Sequence, residues 1–225
     1  LDEKFYQELK DNFPNIDTKI LQLKDNFGKK AFKKDKLLNL EDKQRIVIQK
    51  FDDLVHSKEF FNFFVKKFFL KNFLNKNNFL RKLRYLRFPI NNKDGRSFFD
   101  FLFSKLNVTY DFSFIKNNGG IDPHVDALSK YMSLMLYFPD SQKEEDYGTT
   151  FWSSNVPNYT NTHIENHQQI KNFKSESKVL YRAPFNQNSL YIFLRNDYSW
   201  HSVEPIDISD DYIRKSININ FIYKN

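Results

Sequence analysis

The chain has 225 residues, 40% of them hydrophobic and 26 of them Phe, enough for one substantial core built largely from Phe. The absence of cysteine excludes disulfides, thiolate zinc sites, iron–sulfur clusters and a cysteine nucleophile. The net charge of +7 admits acidic partners such as nucleic acid, but a Lys- and Asn-rich bias with solvated lysines accounts for it more simply. No apolar stretch approaches the ~20 residues of a membrane span. The richest run, 60–74, is broken by Lys66, Lys67 and Lys71. With no basic-then-apolar leader pattern at the N-terminus, a soluble intracellular, cytoplasmic protein is expected.

Residues 1–106 read as mostly helical. Phe5, Leu9 and Phe13 recur at helical spacing until Pro14 stops the run. Asp17 is placed to cap a short helix through Ile20, Leu21 and Leu23. Gly28 and the lysines at 29, 30, 33, 34 and 36 read as an exposed connection. Leu40 to His56 carries Ile46, Ile48, Phe51, Leu54 and Val55 as an amphipathic helix. Ser57 caps the next, with Phe60, Phe61, Phe64, Phe68 and Phe69 as its apolar face. Lys76, Arg81, Lys82, Arg84 and Arg87 follow. Aromatics mixed with cations also suit a nucleic-acid surface, but a helical apolar stripe predicts buried rings with the cations on the wet side. Pro89 and Asp94-Gly95 precede a last helix through Phe98, Phe99, Leu102, Phe103 and Leu106.

At Asn107 the pattern changes to period two. Strands are predicted over Val108–Ile115, Tyr131–Phe138, Thr149–Ser153, Lys178–Arg182, Ser189–Leu194, Trp200–Glu204 and Tyr212–Tyr223, with a short one near His124. About eight strands without crossover helices fit a double-sheet jelly roll. The fold class expected is α+β with a mainly β, cupin-like core over 107–225 and helices packed on it.

The chemistry concentrates in Gly119-Gly120-Ile121-Asp122-Pro123-His124-Val125-Asp126 and in Ser199-Trp200-His201. On an extended backbone residues i and i+2 project to one side, so His124 and Asp126 can reach one ion. His201 can return a second imidazole, and two histidines with one carboxylate are the ligand set of non-haem Fe(II) oxygenases. His-x-Asp alone is a weak signal. Three of the five glycines, Gly119, Gly120 and Gly148, and both tryptophans, Trp152 and Trp200, fall around it, which fits close backbone approach and a shaped pocket.

These stretches, with Lys130-Tyr131-Met132-Ser133-Leu134-Met135-Leu136-Tyr137 and Gly148-Thr149, resemble the 2-oxoglutarate/Fe(II)-dependent oxygenases, nearest to the prolyl-hydroxylase-like branch. The resemblance covers 107–225. It implies a double-stranded β-helix, iron held by His124, Asp126 and His201, and a basic residue on a later strand for the far carboxylate of 2-oxoglutarate. Arg214 stands in that position, and Ser216 can add a hydroxyl bond. Period two puts Arg214, Ser216, Asn218 and Asn220 on one face and Ile217, Ile219 and Phe221 on the other, with Lys215 pointing away. An Arg fork suits a carboxylate better than Lys does. Tyr131, Ser133, Met135 and Tyr137 share a strand face and are candidates for contact with 2-oxoglutarate or substrate. Lys130 is a candidate partner for an acidic group near the iron, and Arg195 and Asn196 for the pocket mouth. Trp200 should face away and pack.

The implied activity is hydroxylation of a small-molecule or peptidyl substrate with 2-oxoglutarate, O₂ and Fe(II), releasing succinate and CO₂. Alternatives are a catalytically silent jelly-roll binding protein and a cupin-like metal enzyme without 2-oxoglutarate. The nucleic-acid demethylases of the same superfamily place Asn two residues after the arginine, where this chain has Ser216. His163 and His167 are four residues apart, but Glu165 is at the wrong offset for a zinc-protease helix. The polar run Asn158 to Asn172 reads as a long loop or substrate lid, and Glu144-Glu145-Asp146 as a solvated loop.

Overall fold

A computed structural model describes residues 1–16, 29–34, 40–74, 106–127, 129–155 and 167–223. The expected helices near Ile20 and Phe98, the basic run 76–87 and the segment containing His163 lie outside them. The described fold is mixed and β-rich. Among the described residues nine strands form two sheets, and every pairing is antiparallel. The five-stranded sheet has the order β1(Lys29–Phe32), β2(Leu106–Lys116), β9(Ile213–Tyr223), β4(Lys130–Tyr137), β7(Leu190–Leu194). The four-stranded sheet has the order β3(Ile121–His124), β8(His201–Val203), β5(Thr150–Ser153), β6(Lys178–Arg182).

Three N-terminal helices cover the outer face of the larger sheet. In α1 (Glu3–Asp11), the Asp2 carboxylate accepts from the Phe5 N–H, and the helix ends before Pro14. A Glu41/Gln44 capping box starts α2 (Asp42–Val55). The Ser57 hydroxyl accepts from Phe60 N–H at the start of α3 (Lys58–Leu74). Tyr6 and Leu9 of α1, Val47, Ile48, Phe51 and Val55 of α2, and Phe61, Phe64 and Val65 of α3 form one apolar cluster with Phe112, Phe114, Leu134, Ile217, Ile219 and Phe221. Phe221 is fully buried beneath the rings of Phe60, Phe61 and Phe64. The period-two face of β9 therefore packs against helices, and its polar face is turned to the second sheet.

Four readings change. Residues 29–32 are an edge strand paired with Phe112–Ile115, not an exposed connection, so the sheet takes a strand from the N-terminal region. Ile46 is exposed, and its neighbour Val47 takes the buried place. His167–Glu176 is a helix, α4, not part of a loop, and its Phe173 packs with Val125, Trp152 and Trp200 on the outer face of the smaller sheet. Glu144 is buried in a short 3-10 helix, Gln142–Tyr147, where it accepts from the Asp140 and Ser141 N–H groups and from the Tyr212 hydroxyl.

The inner faces of the sheets meet through Ile115 with Val203 and Tyr212, and through Tyr137 with Ala183 and Phe185. Two glycines permit close backbone approach. A Cβ on Gly148 would lie 1.5 Å from the Ala183 carbonyl oxygen, and one on Gly120 would lie 2.6 Å from that of Val203. No described helix is long and apolar enough to cross a membrane.

Candidate metal centre

Strand β3 runs at the edge of its sheet, where Pro123 removes no ladder hydrogen bond that a neighbour needs. Ile121 pairs with Val203 and His124 with His201, three residues on one strand against two on the other. That extra residue is a bulge, and it brings His124 to the same face as Ile121. His124 and His201 are consequently cross-strand partners with ring centroids 4.2 Å apart. Asp126 follows just beyond the strand. One donor atom from each of His124, Asp126 and His201 lies within 4.8 Å of the others.

Each imidazole is oriented by a backbone carbonyl two residues upstream. Nδ1 of His124 is 2.8 Å from the Asp122 oxygen, and Nδ1 of His201 is 3.0 Å from the Ser199 oxygen. A carbonyl only accepts, so each ring carries its proton on Nδ1 and its lone pair on Nε2, the tautomer a metal ligand needs. Burial lowers the pKa of both rings, and for His124 the neighbouring His201 adds to the effect. Both are neutral at pH 7. For Asp126 burial pushes the pKa up. His201, the Lys130 ammonium and hydrogen bonds from Lys130 and Ser133 outweigh it and hold the carboxyl well below the usual range. Lys130 donates to Oδ1 and Ser133 to Oδ2, each at 2.6 Å. Two neutral imidazoles and one carboxylate form a donor set suited to a divalent first-row metal.

On the facing sheet, Arg214 is 2% exposed and Ser216 1%. The Arg214 guanidinium donates from Nε to the Tyr147 carbonyl at 2.7 Å and sits 3.4 Å from the Ser216 hydroxyl. It stacks over Phe185 at 4.4 Å and Tyr137 at 5.1 Å. Among the described residues no carboxylate makes an ion pair with it. Glu144 acts on it at longer range, with its oxygens already engaged by N–H groups and Tyr212. Burial lowers the Arg214 pKa, but a guanidinium stays charged. A buried cation without a carboxylate partner is an arrangement that an anionic ligand completes.

No family profile matches the sequence, and no curated protein matches it. A crystal structure of a Pseudomonas putida prolyl-4-hydroxylase is similar at TM-score 0.35 and 14% identity, over 52% of this chain and 52% of that one. This chain thus matches about half of that protein's length.

The remaining expected residues divide. The Ser133 hydroxyl is committed to Asp126 and lies 3.2 Å from the Asn220 side-chain amide. The Tyr137 hydroxyl donates to Thr149 Oγ1 at 2.8 Å and accepts from the Thr149 N–H, and Tyr137 braces Arg214 both with its ring and through a hydrogen bond to its oxygen. Tyr131 departs from the expected face. The register between β4 and β9 shifts between Lys130 and Met132, and Tyr131 is buried in the main apolar cluster with Met132 and Leu134. Arg195 is buried, 2.6 Å from Asp197, and donates to the Asp126 carbonyl. The sequence pattern holds no sign of Phe193 and Phe151, whose rings lie 4.5 and 6.4 Å from that of His201. It also missed Lys29, which pairs with Ile115 on the side of the sheet that carries Arg214.

Proposed function

We propose that this protein is an Fe(II)- and 2-oxoglutarate-dependent oxygenase, with His124, Asp126 and His201 as the iron ligands. The observation that carries this reading is the convergence of those three donors within 4.8 Å, each imidazole fixed in the tautomer that turns a lone pair outward from Nε2. Two histidines and one carboxylate leave coordination positions open, as oxygenases require and closed structural metal sites do not. We take the two antiparallel sheets as a double-stranded β-helix over 107–225, with 1–106 as a packed extension that also supplies β1.

Arg214 is the residue for the far carboxylate of 2-oxoglutarate. Its fork, held by the Tyr147 carbonyl and backed by Phe185 and Tyr137, is pre-set for a carboxylate, and Ser216 stands beside it to add a hydroxyl bond. When bound, Fe(II) and 2-oxoglutarate supply the oxidising chemistry, in which O₂ and 2-oxoglutarate give succinate, CO₂ and a hydroxylated substrate. The chain's own part is placement. Ser133 and Lys130 fix both oxygens of Asp126, the carbonyls of Asp122 and Ser199 fix the rings, and Phe193 and Phe151 keep water from the His201 side. The substrate is a small molecule or a peptidyl residue.

The test is succinate release from 2-oxoglutarate by the purified full chain under air with Fe(II). It is paired with visible absorption on adding 2-oxoglutarate to the Fe(II) protein without oxygen. The expected result is succinate above the protein-free rate together with a new visible band. Succinate at the protein-free rate, with no band, overturns the reading.

A further inference from the structure

Lys29 lies in the sequence far from every other residue of the site, and only sheet pairing brings it there. Lys29 pairs with Ile115, and Ile115 pairs with Arg214, so the three form one row across β1, β2 and β9. Directly paired residues of antiparallel strands project to the same side. Ile115 packs against Val203 of the opposite sheet, which fixes that side as the inner one. The alternate residues Lys30 and Phe32 point the other way, and Phe32 packs on Phe114 in the helix-side cluster. Lys29 therefore extends its ammonium into the space between the sheets.

The charges around it are already matched or distant. Asp126 has both oxygens occupied by Lys130 and Ser133, and Asp111 acts on Lys29 only weakly. Among the described residues no carboxylate makes an ion pair with Lys29. Burial and the charge of Lys130 push its pKa down to about 8, so it remains largely cationic at neutral pH. Lys29 and Arg214 also address different places. The charge of Lys29 is felt at Asp126, His124 and His201, whereas Arg214 is set among Tyr137, Tyr212 and Glu144. Two strand spacings, about 10 Å, separate their backbones.

We propose that Lys29 is the substrate-anchoring residue of this site and that the substrate carries a carboxylate or phosphate group, held by Lys29 beside the metal centre while Arg214 holds the cosubstrate. This rests on the oxygenase reading above. Lys is a compact point charge suited to either anion. An anionic group is the complement this position favours, because the partly buried ammonium lies among Lys130, Arg214 and a divalent metal while both Asp126 oxygens are taken by Lys130 and Ser133.

The experiment uses the full chain loaded with Mn(II) and saturated with 2-oxoglutarate, with inorganic phosphate and acetate as probes. Mn(II) affinity is measured first, by electron paramagnetic resonance. Paramagnetic relaxation of the phosphate ³¹P and acetate ¹³C nuclei then reports an anion seated near the metal. The expected result is enhanced relaxation of at least one probe in the wild type, and the responding probe names the class. Lys29→Met and Lys29→Gln should weaken that binding roughly tenfold with Mn(II) affinity kept, and Lys29→Arg should restore it. Equal relaxation in the wild type and in whichever neutral variant keeps its Mn(II) affinity overturns the proposal, as does no relaxation of either probe. Failure of the wild type to bind Mn(II) counts against the oxygenase reading instead. Calorimetry of the two anions on the metal-free proteins then decides Lys29 by the same comparison.

Discussion

The Lys130 ammonium and the Asp126 carboxylate lie 2.6 Å apart, with Asp126 7% and Lys130 25% exposed at the side chain. With His201, this pair holds the carboxylate of the proposed metal site ionised in a place where burial pushes the other way. The folded-state pKa of Asp126 is depressed, so the stabilisation is present above the unfolded value of ~3.9 and is lost as pH falls through the lower folded value. Lys130→Met should destabilise the metal-free protein by roughly 3 kcal/mol at neutral pH. Denaturant titrations of both proteins should show that difference closing in acid. A gap independent of pH would remove the pair from the account.

The two histidines act in the same direction by another route. Both are depressed in the folded chain, chiefly by burial. On acidification the unfolded chain takes up protons first, near ~6.5, and stability falls until the folded rings also titrate. The slope should approach ~1.4 kcal/mol per pH unit for each histidine. Metal-free stability measured between about pH 8 and pH 5 should show it, and a His124→Gln, His201→Gln double variant should flatten it.

Asp126→Ala or His201→Ala should abolish substrate-independent decarboxylation of 2-oxoglutarate and weaken Mn(II) binding beyond detection. Ser133→Ala keeps all three donors and loses only one hydrogen bond to the carboxylate. Its metal affinity should fall by roughly tenfold. Full turnover by either ligand variant would sink the ligand assignment.

Arg214→Met should leave Mn(II) affinity within about twofold of the wild type and raise the 2-oxoglutarate requirement roughly thirtyfold or more, from loss of a charge-assisted pair. Arg214→Lys should fall between them, because an ammonium cannot reproduce the fork. An unchanged 2-oxoglutarate requirement in Arg214→Met would favour a metal enzyme that does not use this cosubstrate.

Gly148→Ala should destabilise the fold by about 3 kcal/mol or prevent folding, since its Cβ would overlap the Ala183 carbonyl, part of the backbone beside β6. Thermal melts would measure this. A melting temperature like the wild type's would mean that the backbone there yields easily.

Local pattern was enough for much of this molecule. Period two marked all the strands from β2 onward except the length of β3, and it separated the faces of β9, because one face meets the apolar helix layer while the other carries polar side chains between the sheets. The spacing of Phe and Leu located α1, α2 and α3, and the glycine, histidine and aspartate around position 120 identified candidate ligands. Where the sequence misled, the deciding interaction was nonlocal. Lys29–Phe32 is lysine-rich and reads as loop, yet becomes a strand because β2 offers an unpaired edge. Tyr131 shares its spacing with Ser133 and loses that face to a register shift against β9. Glu144 sits in an acidic run and is buried because Tyr212, far along the chain, meets it.

The sequence by itself determined which chemistry this chain can carry: two imidazoles, a carboxylate and an arginine on elements whose faces follow from their own periodicity. Only the tertiary structure decided how those groups meet. Cross-strand pairing sets His124 against His201, folding back from β4 puts Lys130 and Ser133 on Asp126, and two registers in series carry Lys29 into line with Arg214. The physical reason is that a side chain's facing is a local property, whereas its neighbours depend on pairings between strands far apart in the chain.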